Sequence, residues 1–217
     1  MDVGVLTVVT AVLALIALRA WYRAATRPRY PSVGPPRFTW PIVLTVAALV
    51  AGGFEVGHHL RQDLATDALR AVTPVEGAHA DCARFTDELL NLSQYQGYVY
   101  YDGSNTAHLR RNVCRDLWSY AHGGQANPSR SEVIAVHVVT HEATHINGLR
   151  NEAEAECVAV QLNHLVAEEL GASPTQAREL QTQYYELYYP NQRSDYVSGA
   201  CTEGGSMDID AERTEFP

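Results

Sequence analysis

The sequence predicts a mainly α protein, with two N-terminal transmembrane helices followed by a small helical domain with little β structure. Three observations carry that expectation. Two apolar stretches lie within the first 56 residues, and a basic, proline-broken segment separates them. Beyond them, apolar residues recur at helical spacing between turn signals. In a chain of 217 residues, 46% hydrophobic and 19% charged, this leaves room for one compact domain behind an anchor. The expected division is a membrane anchor over residues 1–57 and an outer domain over 58–217.

The first apolar stretch, VGVLTVVTAVLALIAL at residues 3–18, has only Asp2 as a charged side chain before it and no A-x-A cleavage site after it. It reads as a membrane helix rather than a cleaved leader. The second, Trp40 to Val56, holds a single acid, Glu55. Between them stand Arg19, Arg23, Arg27, Arg29 and Arg37, interrupted by Pro28, Pro31, Pro35 and Pro36. The positive-inside rule places this loop in the cytoplasm and residues 58–217 on the extracytoplasmic side of a cell membrane, with lipid as the anchor's partner.

Residues 58–71 extend the second stretch as a helical stalk ending before Pro74, and Asp81–Leu92 reads as an amphipathic helix. Gln96–Asp102 has the aromatics of an edge strand, at which an extended peptide could add by backbone hydrogen bonds. Thr106–Ala121 reads as a helix with Leu109, Val113, Leu117 and Tyr120 on one stripe. Ser129 or Ser131, after Pro128, offers an N-cap for the next helix, and Gly148 ends it. Residues 151–170 form another helix, and Pro174 opens the last, which runs to Pro190. The tail from Tyr196 is rich in Gly, Ser and Asp and lacks EF-hand spacing.

From residue 58 onward there are 11 arginines against 23 acids and no lysine, a net charge near −12. Such acidity excludes a nucleic-acid surface. All four cysteines, Cys82, Cys114, Cys157 and Cys201, fall in this segment without CxxC spacing, as in a domain that forms disulfides in an oxidising compartment. Three connectivities are open. Cys82–Cys114 with Cys157–Cys201 is favoured, because the second bond would pin the irregular tail to a helix; a free buried Cys157 is the alternative.

The chemistry concentrates at His141-Glu142-Ala143-Thr144-His145, an HExxH motif. Residues four apart share a helix face, so His141 and His145 can offer imidazole nitrogens to one metal ion, while Glu142 stands where a general base for a water belongs. After Gly148, Glu152 and Glu156 share a face of the next helix, with Ala155 and Ala159 allowing close approach and Glu154 pointing away. One carboxylate can complete a zinc site and its neighbour can accept a histidine's second N–H.

HExxH followed by E-x-x-A-[D/E]-x-x-A resembles the zinc-binding core of gluzincin metallopeptidases, including membrane-anchored HtpX-like and small ImmA/IrrE-like members. The resemblance covers about residues 131–162. It implies a zincin-like helical domain, Zn²⁺ as cofactor, Glu152 as third ligand and Glu156 as its supporting acid. Only six residues separate His145 from Glu152, fewer than those families usually insert. The short gap is similar to the metzincin pattern HExxHxxGxxH, which His141, Glu142, His145 and Gly148 fit, with Asn151 in place of the last His. Asn is the poorer ligand, so Glu152 is favoured, Glu156 next.

The expected activity is hydrolysis of peptide bonds by metal-activated water, with Glu142 catalytic, His141, His145 and Glu152 as ligands, and a peptide or protein as substrate. Tyr184, Tyr185, Tyr188, Tyr189, Tyr196 and His122 are candidates for steadying the oxyanion, and no spacing selects among them. The alternative is a non-catalytic, zinc-binding cell-envelope protein.

Overall fold

The computed structural model describes residues 4–26, 36–84, 95–210 and 216–217. They fall into two units, Met1–Leu60 and Arg61–Pro217. The first holds helix α1, Val5–Thr26, and the larger part of α2, Thr39–Arg70. Both helices are long and apolar enough to cross a membrane. Inside this unit, polar and small groups link the pair: Trp21 Nε1 donates to Thr45 Oγ1 at 3.0 Å, and Thr7 Oγ1 donates to Glu55. Val8, Val12, Leu15, Val46 and Leu49 face outward. The second apolar stretch and the stalk are one uninterrupted helix, which ends where Pro74 forbids a further hydrogen-bonded turn.

In the second unit the end of α2 is followed by a three-stranded sheet: β1 (His79–Cys82), β2 (Gly97–Val99) and β3 (Thr106–Leu109), in the order β1-β3-β2. β1 runs parallel to β3 and β2 antiparallel to it. Here the structure corrects two expectations. Asp81 and Cys82, assigned to the start of a helix, pair with His108 and Leu109 in the sheet; residues 85–94 of that expected helix lie outside the described residues. Thr106–Leu109, assigned to the following helix, is the central strand. Four residues are too few to show a period, and Leu109 is buried in either conformation. The pairing that decides the matter comes from strands distant in sequence.

Helix α3, Arg111–Ser119, therefore starts later than its apolar stripe suggests, and a wider turn over Tyr120–Gly124 follows. Helix α4, Arg130–Ile146, begins with a capping box. Ser129 accepts from the Glu132 amide, and Glu132 Oε2 accepts from the Ser129 amide at 2.8 Å. Val133, Val136 and Val139 enter the core with Leu109, Val113, Leu117 and Tyr120. Their burial offsets the modest helix propensity of β-branched residues. α5 (Glu152–Glu169) and α6 (Pro174–Leu187) pack against α4, and each begins with a side-chain cap, Asn151 and Ser173. Disulfides join Cys82 to Cys114 and Cys157 to Cys201, the favoured pairing.

The connection between α4 and α5 places the two halves of the site. Gly148 takes φ +101°, and the Gly148 and Leu149 amides donate to His145 O and Thr144 O at 3.0 and 3.2 Å. These bonds close a Schellman turn, which favours glycine. An alanine Cβ at Gly148 would meet no atom within 4 Å, so the cost of Gly148→Ala is backbone strain alone. It is expected to destabilise the protein by about 1 kcal/mol in chemical unfolding, and an unchanged midpoint would remove the turn's assigned role.

Candidate metal centre

His137, His141 and His145 lie at four-residue steps on α4, so their rings share one face, and each is buried. Opposite them, α5 presents Glu152 and Glu156. Two His/Glu groups are close enough to hold a metal ion: His141, His145 and Glu152, and His137, His141 and Glu156. In the first, His141 Nε2 and His145 Nε2 are 3.0 Å apart, and Glu152 Oε2 is 3.2 and 3.3 Å from them. A tetrahedral ion with bonds of about 2.0–2.1 Å has ligand-to-ligand edges of about 3.3 Å. The triad already has that size.

The tautomers agree. His145 Nδ1 lies 2.7 Å from the Leu149 carbonyl, which can only accept, so Nδ1 carries the proton and Nε2 offers a lone pair. His141 Nδ1 sits 2.9 Å from Glu156 Oε2, which sets the same tautomer. Two lone pairs and a carboxylate oxygen within 3.3 Å of one another repel unless a cation or proton lies among them. The donor set fits a divalent cation.

The second group shares His141. A neutral imidazole has one lone pair, so His141 serves the first triad through Nε2 and leans on Glu156 through Nδ1. Glu156 Oε2 also lies 3.0 Å from His137 Nε2, and Oε1 accepts from the Tyr184 hydroxyl at 2.6 Å. Burial works against this carboxylate's charge, but His137 and His141 outweigh it and hold its pKa well below the usual range. His137 stacks flat on Tyr184, with ring centroids 3.5 Å apart, and burial pulls its pKa down. This layer supports the triad from behind.

Glu142 is 4% exposed, and its Oε2 has no hydrogen-bond partner among the described residues. Burial, opposed by His141 and reinforced by Glu152 and Glu156, raises its pKa to about 7. The backbone of β2 runs against it. A Cβ on Gly97 would come within 2.7 Å of Glu142 Oε1, so glycine is required for close approach rather than for its torsions.

Glu152 is therefore brought to both histidines despite the short connection. Asn151 is turned elsewhere, its Oδ1 accepting from the Glu154 amide at 3.1 Å as the α5 cap. Of the tyrosines and histidine left open by the sequence, Tyr196 reaches the triad, its ring stacking on that of His141 with centroids 5.6 Å apart. Tyr184 binds Glu156 instead, and Tyr185 and Tyr189 bind backbone oxygens of Cys201 and Ser198. Tyr188 lies beneath the Arg130 guanidinium. His122 stacks on Trp118.

Two residues were missed by sequence reasoning. His137 had a usable signal, its four-residue step before His141. Tyr101, whose hydroxyl is 3.0 Å from His145 Nδ1, had none that separated it from ordinary packing.

Comparison with protein-family models, curated proteins and solved structures finds no match for this chain.

Without metal, His141 lies between two carboxylates. Burial lowers its pKa, but the hydrogen bonds it donates to the Glu152 and Glu156 carboxylates outweigh this and raise it to about 10. A cation must displace that proton from Nε2. Metal binding near pH 8 is thus expected to release about one proton per ion, with apparent affinity rising with pH towards 10. Calorimetry in buffers of different ionisation enthalpy measures this, and buffer-independent heats would contradict it.

Proposed function

We propose that this chain is a membrane-anchored, zinc-dependent peptidase whose outer domain, residues 58–217, hydrolyses peptide bonds outside the cytoplasm. The observation that carries the reading is a buried carboxylate, Glu142, beside a two-histidine, one-glutamate triad of tetrahedral dimensions. Two helices suited to spanning a membrane, with the basic segment between them, support the anchor and its orientation.

His141, His145 and Glu152 would hold the ion, and Glu156 would fix His141. Zinc bound there supplies Lewis-acid polarisation of a carbonyl and lowers the pKa of water. Glu142 takes the proton from the attacking water and returns it to the leaving amine. A pKa near 7 suits both halves of that exchange. β2 lies at one end of the sheet, and among the described residues no strand pairs with its outer edge. An extended substrate could add at that edge by backbone hydrogen bonds.

A second reading, a zinc-binding envelope protein without turnover, draws on Tyr196 lying against the triad. Glu142→Gln separates the two. Hydrolysis is expected to fall by about 10²–10⁴-fold while bound zinc stays at wild-type stoichiometry. A wild type that binds zinc but cleaves nothing, or a variant with full activity, ends the peptidase reading.

The pH profile offers a further check. Glu142 must be ionised to act as base, so kcat/KM rises with pH. A nearby cation lowers the carboxyl's pKa, placing the midpoint of that rise at or below about 7. A profile that falls with pH across this range would assign the proton transfer elsewhere.

A further inference from the structure

Tyr184 meets the layer behind the triad from inside the core. It lies on α6 and is buried, as are Glu156 and His137. Its hydroxyl donates to Glu156 Oε1 at 2.6 Å, and Gln192 Nε2, beyond the end of α6, donates to that hydroxyl at 2.9 Å. A phenol has one proton, and an amide nitrogen can only donate. The Tyr184 proton is therefore committed to Glu156, and the direction of the pair of bonds is fixed.

The other oxygen of Glu156 faces the imidazoles. Oε2 lies 2.9 Å from His141 Nδ1 and 3.0 Å from His137 Nε2. The last torsion of a glutamate side chain is soft, so a carboxylate keeps one orientation only where both oxygens are held. Tyr184 supplies the hold on Oε1, and with it the place of Oε2. That contact keeps a proton on His141 Nδ1 and leaves Nε2 to turn its lone pair towards an ion shared with His145 and Glu152. Tyr184 also lies flat on His137, with ring centroids 3.5 Å and planes 12° apart.

We infer that Tyr184 is a positioning residue of the metal centre: its hydroxyl holds Glu156 in the orientation that sets His141 Nε2 towards an ion, and Gln192 sets the direction of that hydroxyl. The inference rests on the metal-site reading but does not require peptide hydrolysis. Tyr184 acts through Glu156 on a ligand, so its effect is read in metal affinity and coordination geometry. Phenylalanine retains the ring on His137 and removes only the hydroxyl, which separates positioning from packing.

The test is zinc affinity of the full chain by competition with a chromophoric chelator, together with the visible absorption of the Co²⁺-loaded protein. Tyr184→Phe is expected to weaken zinc binding about 10-fold and to change the Co²⁺ spectrum. Gln192→Ala is expected to act in the same direction and to add little in the Tyr184→Phe background, because its partner hydroxyl is already gone. Tyr185→Phe is the control: it removes a hydroxyl of the same helix that donates to Cys201 O at 3.1 Å, and is expected to leave affinity and spectrum as in wild type. If Tyr184→Phe does not fold, Gln192→Ala carries the test, since Gln192 is exposed; wild-type affinity and spectrum in that variant would then overturn the inference.

A wild type that binds no zinc overturns the metal-site reading and this inference together. A wild type that binds zinc, with Tyr184→Phe matching its affinity and spectrum, overturns the inference alone. So does a Tyr185→Phe variant that loses as much affinity as Tyr184→Phe, because the loss would then report a loosened helix. Fully additive effects of Tyr184→Phe and Gln192→Ala overturn the part assigned to Gln192.

Discussion

Three carboxylates, those of Glu142, Glu152 and Glu156, converge on His141, and the domain is arranged around neutralising them. Buried like charges of this kind are tolerated only with a cation or proton among them. His141 meets the need without metal by keeping a proton to about pH 10; a divalent ion would replace that proton. The opposing shifts follow from position. Glu156 faces two imidazoles and stays ionised, whereas Glu142 is turned towards the β2 backbone with one oxygen unpartnered and is pushed up to about 7. Chemically identical side chains thereby acquire separate tasks.

The convergence depends on close packing of α4 and α5. Ala143 on one helix and Ala155 and Ala159 on the other are fully buried, and Thr144 Oγ1 approaches Ala155 O at 3.4 Å. Larger side chains there would hold the helices apart and open the triad beyond the edge length of a tetrahedral site. The Schellman turn at Gly148 and the Asn151 cap then make a five-residue connection between the helices sufficient. Leu149, inside that connection, spends its carbonyl on the His145 ring. One short loop reverses the chain, caps a helix and fixes a tautomer.

The disulfides reinforce the same region from outside the helix pair. Cys82–Cys114 ties β1 to α3, while Cys157–Cys201 binds the C-terminal segment to α5, one residue after Glu156. For an acidic domain without lysine, covalent ties offset self-repulsion that a core alone would have to overcome.

The sequence alone determined the features that depend on local spacing and composition. These are the two apolar helices, helices α4 to α6, the His141–His145 face with Glu142, and the shared face of Glu152 and Glu156. Each follows from helical geometry or from residues near in sequence. Tertiary structure decided what depended on distant partners. Thr106–Leu109 became a strand because β1 and β2 supply its hydrogen bonds, although its apolar stripe fits a helix. Glu152 lies beside the histidines because the α4–α5 turn places it there, a distance no spacing rule specifies. Tyr196 was selected from several tyrosines only by the fold of the C-terminal segment, since an aromatic residue's position in sequence says nothing of which distant ring it will stack on.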